Sequence, residues 1–318
     1  MNKKPTNNKF NIDESNHGMR LDNYLIKTIK GIPQKKIYSM IRKGEVRINS
    51  KRAKPKDKII IGDLVRIPPN LTYATKELVL KVKPESLSWI DNTIIYEDDS
   101  FLVLNKPSGI AVHGGSGISG GIIELLRLHR KNIREDLELV HRIDKDTSGC
   151  LLISRKRSRL RKLHKYFREG QVKKNYIGLL VGNIEKNNFT VDQPLKVIRA
   201  SNNQRMSIPD IEGKKSITLF NRIKKYDDCS LYNIKPLTGR THQIRAHTKF
   251  LKSSLAGDER YGKQPDLINK STSLNRLFLH AESISFPSLS ENDEIFKIKC
   301  DLPKSLKKVL DEIIQKED

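Results

Sequence analysis

The period of the apolar positions changes several times along the chain, and each change predicts a different element. Near the start, Leu21, Tyr24, Leu25 and Thr28 fall on one face of a helix. Pro33 suits the opening turn of a second helix, in which Ile37, Met40 and Ile41 repeat at i, i+3 and i+4. Gly44 stands where a helix C-terminal glycine would. The next run, EVRINSKRAKPKDKIIIGDLVRIP, alternates apolar and polar residues around a Gly-Asp turn and predicts a few short strands. From Pro68 to about Ser88 the chain is polar and proline-bearing, which predicts a linker with room for one strand in ELVLKVK.

From Trp89 the pattern is that of a mixed domain. TIIYEDD and FLVLN predict successive strands, GIIELLRLHR a helix, LELVHRID a strand running into a turn, LLISR a strand and SRLRKLHKYFREG a helix. NYIGLLVG, KSITLFNRIKKY and CSLYNIKP are three more strand-like runs with short connections, which implies antiparallel pairing. GRTHQIRAHTKFL predicts a helix and RLFLHAESISF a strand. After Pro303, residues Leu306, Val309, Leu310, Ile313 and Ile314 have helical spacing and should close the core. The fold class is therefore α+β: a large mixed, mainly antiparallel sheet flanked by helices, preceded by a small domain of a helix pair and short strands. The expected boundaries are a polar N-terminal tail at 1–17, the small domain at 18–82, a linker at 83–89 and the large domain at 90–318.

Composition narrows what such a protein touches. Its 318 residues hold 61 Lys and Arg against 37 Asp and Glu, a net charge of +24, which points to a polyanion and most simply to nucleic acid. A biased Lys- and Asn-rich composition would give the same total, so placement matters more. Residues 1–83 carry 20 Lys and Arg against 7 Asp and Glu, and residues 155–174 carry ten against one. In the second stretch Leu160, Leu163 and Phe167 form an inward stripe that turns the cations outward. No run of about 18 apolar residues could span a bilayer, and the first residues lack the apolar stretch of a secretory signal. A membrane partner is not expected, and the expected location is the cytoplasm. Cys150, Cys229 and Cys300 are odd in number and far apart, which suits core cysteines and not a disulfide framework or a metal knuckle.

Three features could carry chemistry. GSGISG, from Gly115 to Gly120, has the spacing of a dinucleotide-binding loop, with Glu135 and Glu138 following. Its glycines do not follow FLVLN directly, however, and the later chain does not alternate strand and helix, so it reads as a flexible Gly-rich loop. His242 and His247 are five residues apart, roughly 500° around a helix, and do not share a face as zinc ligands at i, i+4 would. His113, His141, His164 and His280 have no cysteine or carboxylate at ligand spacing. Neither a metal nor a cofactor is expected. The third feature, ELVHRIDKDTSGCLLISR, puts His141, Arg142 and Asp144 at the end of an apolar strand, with Asp146, Thr147, Ser148 and Gly149 as the turn that follows. A carboxylate there, flanked by a cation, can be a rigidly held functional acid. It can equally be an Asx-turn residue, and residue chemistry alone does not choose Asp144 over Asp146.

The motifs taken together resemble known families. RLDNYL from Arg20, IRKGEVRIN from Ile41 to Asn49, KP at Lys54 and Pro55, and IGDLVRI from Ile61 to Ile67 are similar to the S4 RNA-binding domain. HRIDKDTSG resembles the HRLDxxTSG signature of the pseudouridine synthases that act on large-subunit ribosomal RNA, with Ile143 where Leu is usual. NKPSGIAVHGGSG from Asn105, KNY from Lys174 to Tyr176, TGRTHQIRAH from Thr238, AGDERYG from Ala256 and LNRLFLHA from Leu274 resemble the same family in the same order. The likeness covers nearly the whole chain. SSLAGD departs from it by lacking the His-Pro that often precedes this motif.

The resemblance implies an enzyme that isomerises specific uridines of 23S ribosomal RNA to pseudouridine without a cofactor. The N1 to C1′ bond breaks, the base rotates and C5 rejoins C1′, so no atom is gained or lost. Asp144 would be the carboxylate that acts, at C1′ or at C6, with Arg245 as its cationic partner. Tyr176 would lie over the flipped uracil, where it could take the C5 proton, and Arg142 would fill the gap the base leaves, since unstacking costs a few kcal/mol. His141, Lys174, Arg240 and Leu279 complete the expected substrate-binding set. Phosphate contacts are expected from Arg20, Lys35, Lys36, Arg42, Lys43, Arg47, Lys51 and Arg52 in the S4 unit, and from Arg155, Arg157 and Arg161 after the turn. The expected partner is large-subunit ribosomal RNA, free or in an assembly intermediate, and the expected state is a monomer. Two rivals stand beside this reading: a sister S4-bearing enzyme that modifies another hairpin of the same RNA, and a non-catalytic ribosome-assembly factor. The intact motifs around Asp144, Tyr176 and Arg245 argue against the second.

Overall fold

The computed structural model describes residues 8–29, 32–69, 84–114, 120–130, 132–133, 137–182, 184–200, 204–262, 267–290 and 294–317. The chain divides into two compact units, Met1–Lys81 and Val82–Asp318.

In the first unit, α1 (Leu21–Thr28) and α2 (Gln34–Lys43) accompany a sheet of β1 (Lys9–Asn11), β2 (Arg47–Ile48), β3 (Lys51–Arg52) and β4 (Leu64–Arg66), in the order β1-β4-β2-β3. The helical stripes bury Leu21, Leu25, Ile37 and Met40 against Val46, Ile59 and Val65. Gly44 closes α2 in the left-handed region, φ 73°, as its position predicts. The β2–β3 hairpin turns through Asn49 and Ser50, both at positive φ. The polar tail expected at 1–17 needs correction, because β1 pairs with β4 and Ile12 is buried in this core. A three-residue strand is too short to leave a periodic signal.

The second unit opens with a 3-10 helix, Pro84–Thr93. Strands β5 (Ile94–Glu97) and β6 (Phe101–Lys106), α3 (Ile122–His129), β7 (Glu138–Leu139), β8 (Ser148–Ser154), α4 (Arg157–Arg168) and β9 (Lys173–Val181) follow. Then come β10 (Asn188–Asp192), β11 (Leu195–Arg199), β12 (Arg205–Pro209), β13 (Ile217–Lys225), β14 (Cys229–Pro236), α5 (Gln243–Phe250), α6 (Leu267–Ser271), β15 (Leu279–Pro287), β16 (Ile295–Lys299) and α7 (Lys304–Glu317). The linker expected at 83–89 is corrected by the first of these, since Leu87 and Ile90, three residues apart, are buried in the core of this unit. The strand expected in ELVLKVK and residues 115–119 of the GSGISG loop lie outside the described residues. The connection between β9 and β13 is not short: it holds β10, β11 and β12, each of five residues.

Eight strands run in the order β10-β13-β14-β9-β15-β8-β6-β5, with β16 added on β15 and β7 on β8. Among the described pairs of this sheet only β15–β8 is parallel, so the sheet is mixed and mainly antiparallel. Successive residues of β9 serve opposite faces. Tyr176 and Leu180 join one core with Leu104, Leu151, Phe220 and α3, while Ile177 and Leu179 join another with Phe278 and Leu306, Val309 and Ile313 of α7. The parallel pair sets His280 beside Ser148 and Ala281 beside Gly149. Gly149 has φ 109°, and a Cβ there would stand 2.2 Å from the Ala281 carbonyl oxygen, so only glycine lets β8 and β15 meet. Among the described residues no helix is long and apolar enough to cross a membrane.

Candidate active site

A cleft in the second unit is lined by Asp144, Tyr176 and Arg245 together with Arg142, Lys174, Arg240 and Leu279. These side chains come from the turn before β8, from β9, from α5 and its approach, and from the start of β15. His141 is not part of the lining.

The turn that carries Asp144 is braced from two sides. Its own carbonyl accepts from the Thr147 amide at 3.2 Å, and Thr147 and Ser148 are buried as the chain enters β8. On the other side, Lys106 is fully buried and donates Nζ to the carbonyls of Pro107 (2.7 Å), Ile110 (2.8 Å) and Lys145 (3.0 Å). The Gly109 amide also donates to Lys145 O, and Ser108 Oγ to Asp146 O at 2.6 Å. Burial pulls the Lys106 pKa down to about 7. Asp146 and Asp144 oppose that, and three carbonyl acceptors match the three donors of an ammonium, so the charged form is the one this cage fits.

Helix α5 buries six residues in succession, Gln243 to Thr248, Arg245 among them. Each polar group there is met. Gln243 Nε2 donates to Ile217 O and Thr218 Oγ1, its Oε1 accepts from the Arg240 amide, and His247 lies between Thr218 Oγ1 and Gln193 O. Arg245, 3% exposed, sends Nε and Nη2 as a fork to Asp258, at 2.8 and 2.7 Å. The remaining Nη1 stands 4.0 Å from a carboxylate oxygen of Asp144 and 4.0 Å from one of Asp146. Burial opposes the guanidinium charge, but Asp258 first, then Asp144 and Asp146, outweigh it and raise the Arg245 pKa. Asp258 is itself fully buried and also accepts the amides of Arg260 and Tyr261, each at 3.0 Å. This is the residue that sequence reasoning missed. It lies inside AGDERYG, but an ion pair across 13 positions leaves no periodic trace.

The rest of the cleft differs in character. Tyr176 is buried beside Asp144, and burial, with the carboxylate adding to it, pushes the phenol pKa well above its usual value. At neutral pH it is a neutral phenol, a donor and a flat apolar surface. Lys174 sits 5.9 Å from the Phe167 ring centroid, and burial lowers its pKa. Arg240 donates Nε to Lys215 O at 3.1 Å, and Leu279 is a buried wall. His242 begins α5 at φ 49°, a costly conformation for a residue with a side chain, and its Nδ1 is 3.0 Å from Tyr261 Oη.

His141 serves the turn instead of the cleft. Its Nε2 accepts from the Leu152 amide at 3.0 Å and its ring stacks on Phe167. Burial, then Lys174, pushes its pKa down to about 3. Below pH 6.5 the unfolded chain binds a proton at this residue that the folded chain does not bind until about pH 3. Stability therefore falls as the pH drops through that window, by about 1.4 kcal/mol per unit for this group. His141→Gln is expected to lose less stability than the wild type between pH 6.5 and 4.5 in urea denaturation, and parallel curves would exclude His141 as the cause.

The basic residues expected to meet phosphate fall into two sets. Arg20 is forked to Asp22 (2.6 and 3.1 Å), and Arg155 is held by Glu97 (3.1 Å) and the Asp98 carbonyl (2.7 Å). Lys35, Lys36, Arg42, Lys43, Arg47, Lys51, Arg52 and Arg161 are exposed, and Arg157 is half-buried. On α4, Leu163 is buried with Leu160 and Phe167 packed beside it, and Arg161, Lys165 and Arg168 are exposed as the stripe predicts, whereas Arg159 and Lys162 are half-buried and donate to the Leu289 carbonyl. Among the described residues no group of three His, Cys, Asp or Glu could hold a metal ion.

Comparison with known proteins agrees with this architecture. Residues 100–250 match the RNA pseudouridylate synthase family. The chain is 44% identical to ribosomal large subunit pseudouridine synthase C of Haemophilus ducreyi, over 95% of this chain and 94% of that protein. It is 46% identical to the protein of that name from Vibrio parahaemolyticus, over 94% of each, and 43% identical to the one from Escherichia coli, over 93% of each. Among solved structures, human RNA pseudouridylate synthase domain containing 4 superposes with a TM-score of 0.60 at 23% identity, covering 73% of this chain and 96% of that one, a likeness of fold.

Proposed function

Because the chain belongs to the RNA pseudouridine synthase family and is an enzyme that isomerises uridine, we propose that its substrates are uridines of large-subunit ribosomal RNA and that Asp144 is the nucleophile. The relatives' names supply the substrate. The observation that carries the mechanism is the arrangement around Arg245, whose Nη1 lies 4.0 Å from Asp144 in a cleft shared with Tyr176. In this reading the uridine leaves its stack and enters the cleft, and Arg142, exposed at the rim, fills the space it vacates. Tyr176 and Leu279 form the apolar bed for the uracil. Asp144 adds at C1′ or at C6, the N1 to C1′ bond breaks, the base rotates, C5 bonds to C1′ and the bond to Asp144 is released. The proton lost from C5 is balanced by the one gained at N1, so no atom is gained or lost. One carboxylate suffices because the base itself returns, whereas a glycosidase must also activate water. The raised pKa of Tyr176 gives its hydroxyl the part of a donor, in place of the base for the C5 proton that the family resemblance suggests.

The S4-like unit, with Lys35, Lys36, Arg42, Lys43, Lys51 and Arg52 exposed, is read as the part that holds structured RNA by its phosphates. The test is a map of pseudouridines in large-subunit RNA from cells with and without the protein. A small set of sites should disappear and return with the wild-type gene. Loss at a hairpin belonging to the sister enzyme would reassign the target, and an unchanged map would overturn the substrate.

A further inference from the structure

The cleft does not use all the polar surface around the Asp144 turn. A second pocket also touches Arg245, and there the turn contributes Asp146 in place of Asp144. Arg276, Arg260 and Asn275 line it. Arg276 donates Nη2 to Ser148 Oγ at 2.8 Å and Nε to Leu277 O at 3.3 Å. Among the described residues no carboxylate lies within ion-pair distance of it. Burial lowers its pKa only to about 10, so it is a cation at neutral pH. Arg260 is fixed through its backbone by Asp258, and its Nη1 reaches the Arg205 carbonyl at 3.2 Å. The two segments are locked together: Gly257 has φ 70°, and a Cβ on it would lie 2.1 Å from the Arg276 carbonyl oxygen. Two carboxylates share the pocket. Asp146 is faced by Arg245 at 4.0 Å and also favours the charge on Arg276, and Glu259 is exposed. With Arg245 already forked to Asp258, Arg260 and Arg276 are the guanidiniums of this pocket that, among the described residues, have no carboxylate within ion-pair distance.

We propose that this pocket binds a phosphodiester of the RNA strand beside the uridine held in the cleft, with Arg276 as its main cation and Arg260 next to it. The proposal rests on the reading of the cleft given above. A nucleotide turned out of its stack carries its flanking phosphates with it, and a guanidinium offers them a two-pronged, charge-assisted contact. Such a contact fixes register without reading sequence. It also gives a role to a half-buried arginine that lines the second pocket and not the cleft.

The experiment uses the full chain and a hairpin that the wild type modifies, synthesised with one neutral methylphosphonate at each linkage flanking the target uridine in turn. Arg276→Gln should weaken binding of the unmodified hairpin about tenfold, lower the salt slope by about one, and raise KM more than it lowers kcat. One methylphosphonate should weaken the wild type comparably and add nothing in Arg276→Gln. Arg276→Lys should keep the salt slope while losing the fork. If Arg276→Gln does not fold, Arg260→Gln is read against the same linkages. Unchanged affinity, or losses that add at every linkage, would overturn the pocket. A wild type that modifies no large-subunit hairpin would overturn the functional reading itself, a failure visible before any variant is made.

Discussion

Asp144→Asn is expected to abolish pseudouridine formation, on the order of 10^4-fold or more, while RNA affinity stays within a few-fold. The change removes a nucleophilic oxygen and keeps the shape. The hydrogen bonds that hold the turn do not use the lost carboxylate: the Asp144 carbonyl still accepts from Thr147, Lys106 still grips Lys145 O, and Arg245 remains forked to Asp258. In the proposed reading, affinity comes from cations other than this carboxylate. Single-turnover assays on RNA labelled at C5, with filter binding in parallel, separate the two quantities. Asp146→Asn is the informative companion, because both carboxylates stand 4.0 Å from the same Nη1. Only Asp144 lines the cleft, so Asp146→Asn should retain most of the turnover. The opposite pattern would exchange the assignments.

The second large effect is at Asp258. Removing its charge leaves Arg245, 3% exposed, without its bidentate partner. Breaking a buried pair from one side costs about 3–5 kcal/mol. Asp258→Asn should therefore lower the denaturation midpoint strongly, because the amide can accept from Arg245 but does not offset its charge. It should also slow turnover, since the guanidinium that faces Asp144 is aimed by the fork. The two consequences separate if turnover is expressed per folded molecule at low temperature. A normal rate combined with a lowered midpoint would make Asp258 a stability residue alone.

Much of this was legible in the order of residues. Periodicity located α2 with its Gly44 cap, α7 and its core-facing leucines and isoleucines, and the antiparallel runs of β9, β13 and β14. What escaped has a common physical cause, namely partners distant in sequence. The spacing of helix α5 gives no sign that Arg245 is enclosed, yet Gln243 to Thr248 are all buried because Asp258, Thr218 and Gln193 satisfy their polar groups. Lys106 at the end of an apolar strand gave no hint that three carbonyls would enclose it. His141 sits two residues from a charged turn and still belongs to the backbone of β8, through Leu152. The cleft residues themselves were found through motif resemblance, and spacing alone left Asp144 and Asp146 equivalent.

The parallel pairing of β15 with β8 has a consequence in time. Ser148 and His280, joined through Oγ and Nδ1, are 132 residues apart, and β15 is the strand that lies between β8 and β9. Until β15 has been synthesised and inserted, the strand that follows Asp144 and the strand that bears Tyr176 have no shared neighbour, and the Leu279 wall does not exist. Closing so long a loop carries its entropic cost before any contact rewards it. A nascent chain can display its basic first unit before the large sheet is complete, but the power to act on a uridine arrives in one step, when β15 takes its place between β8 and β9.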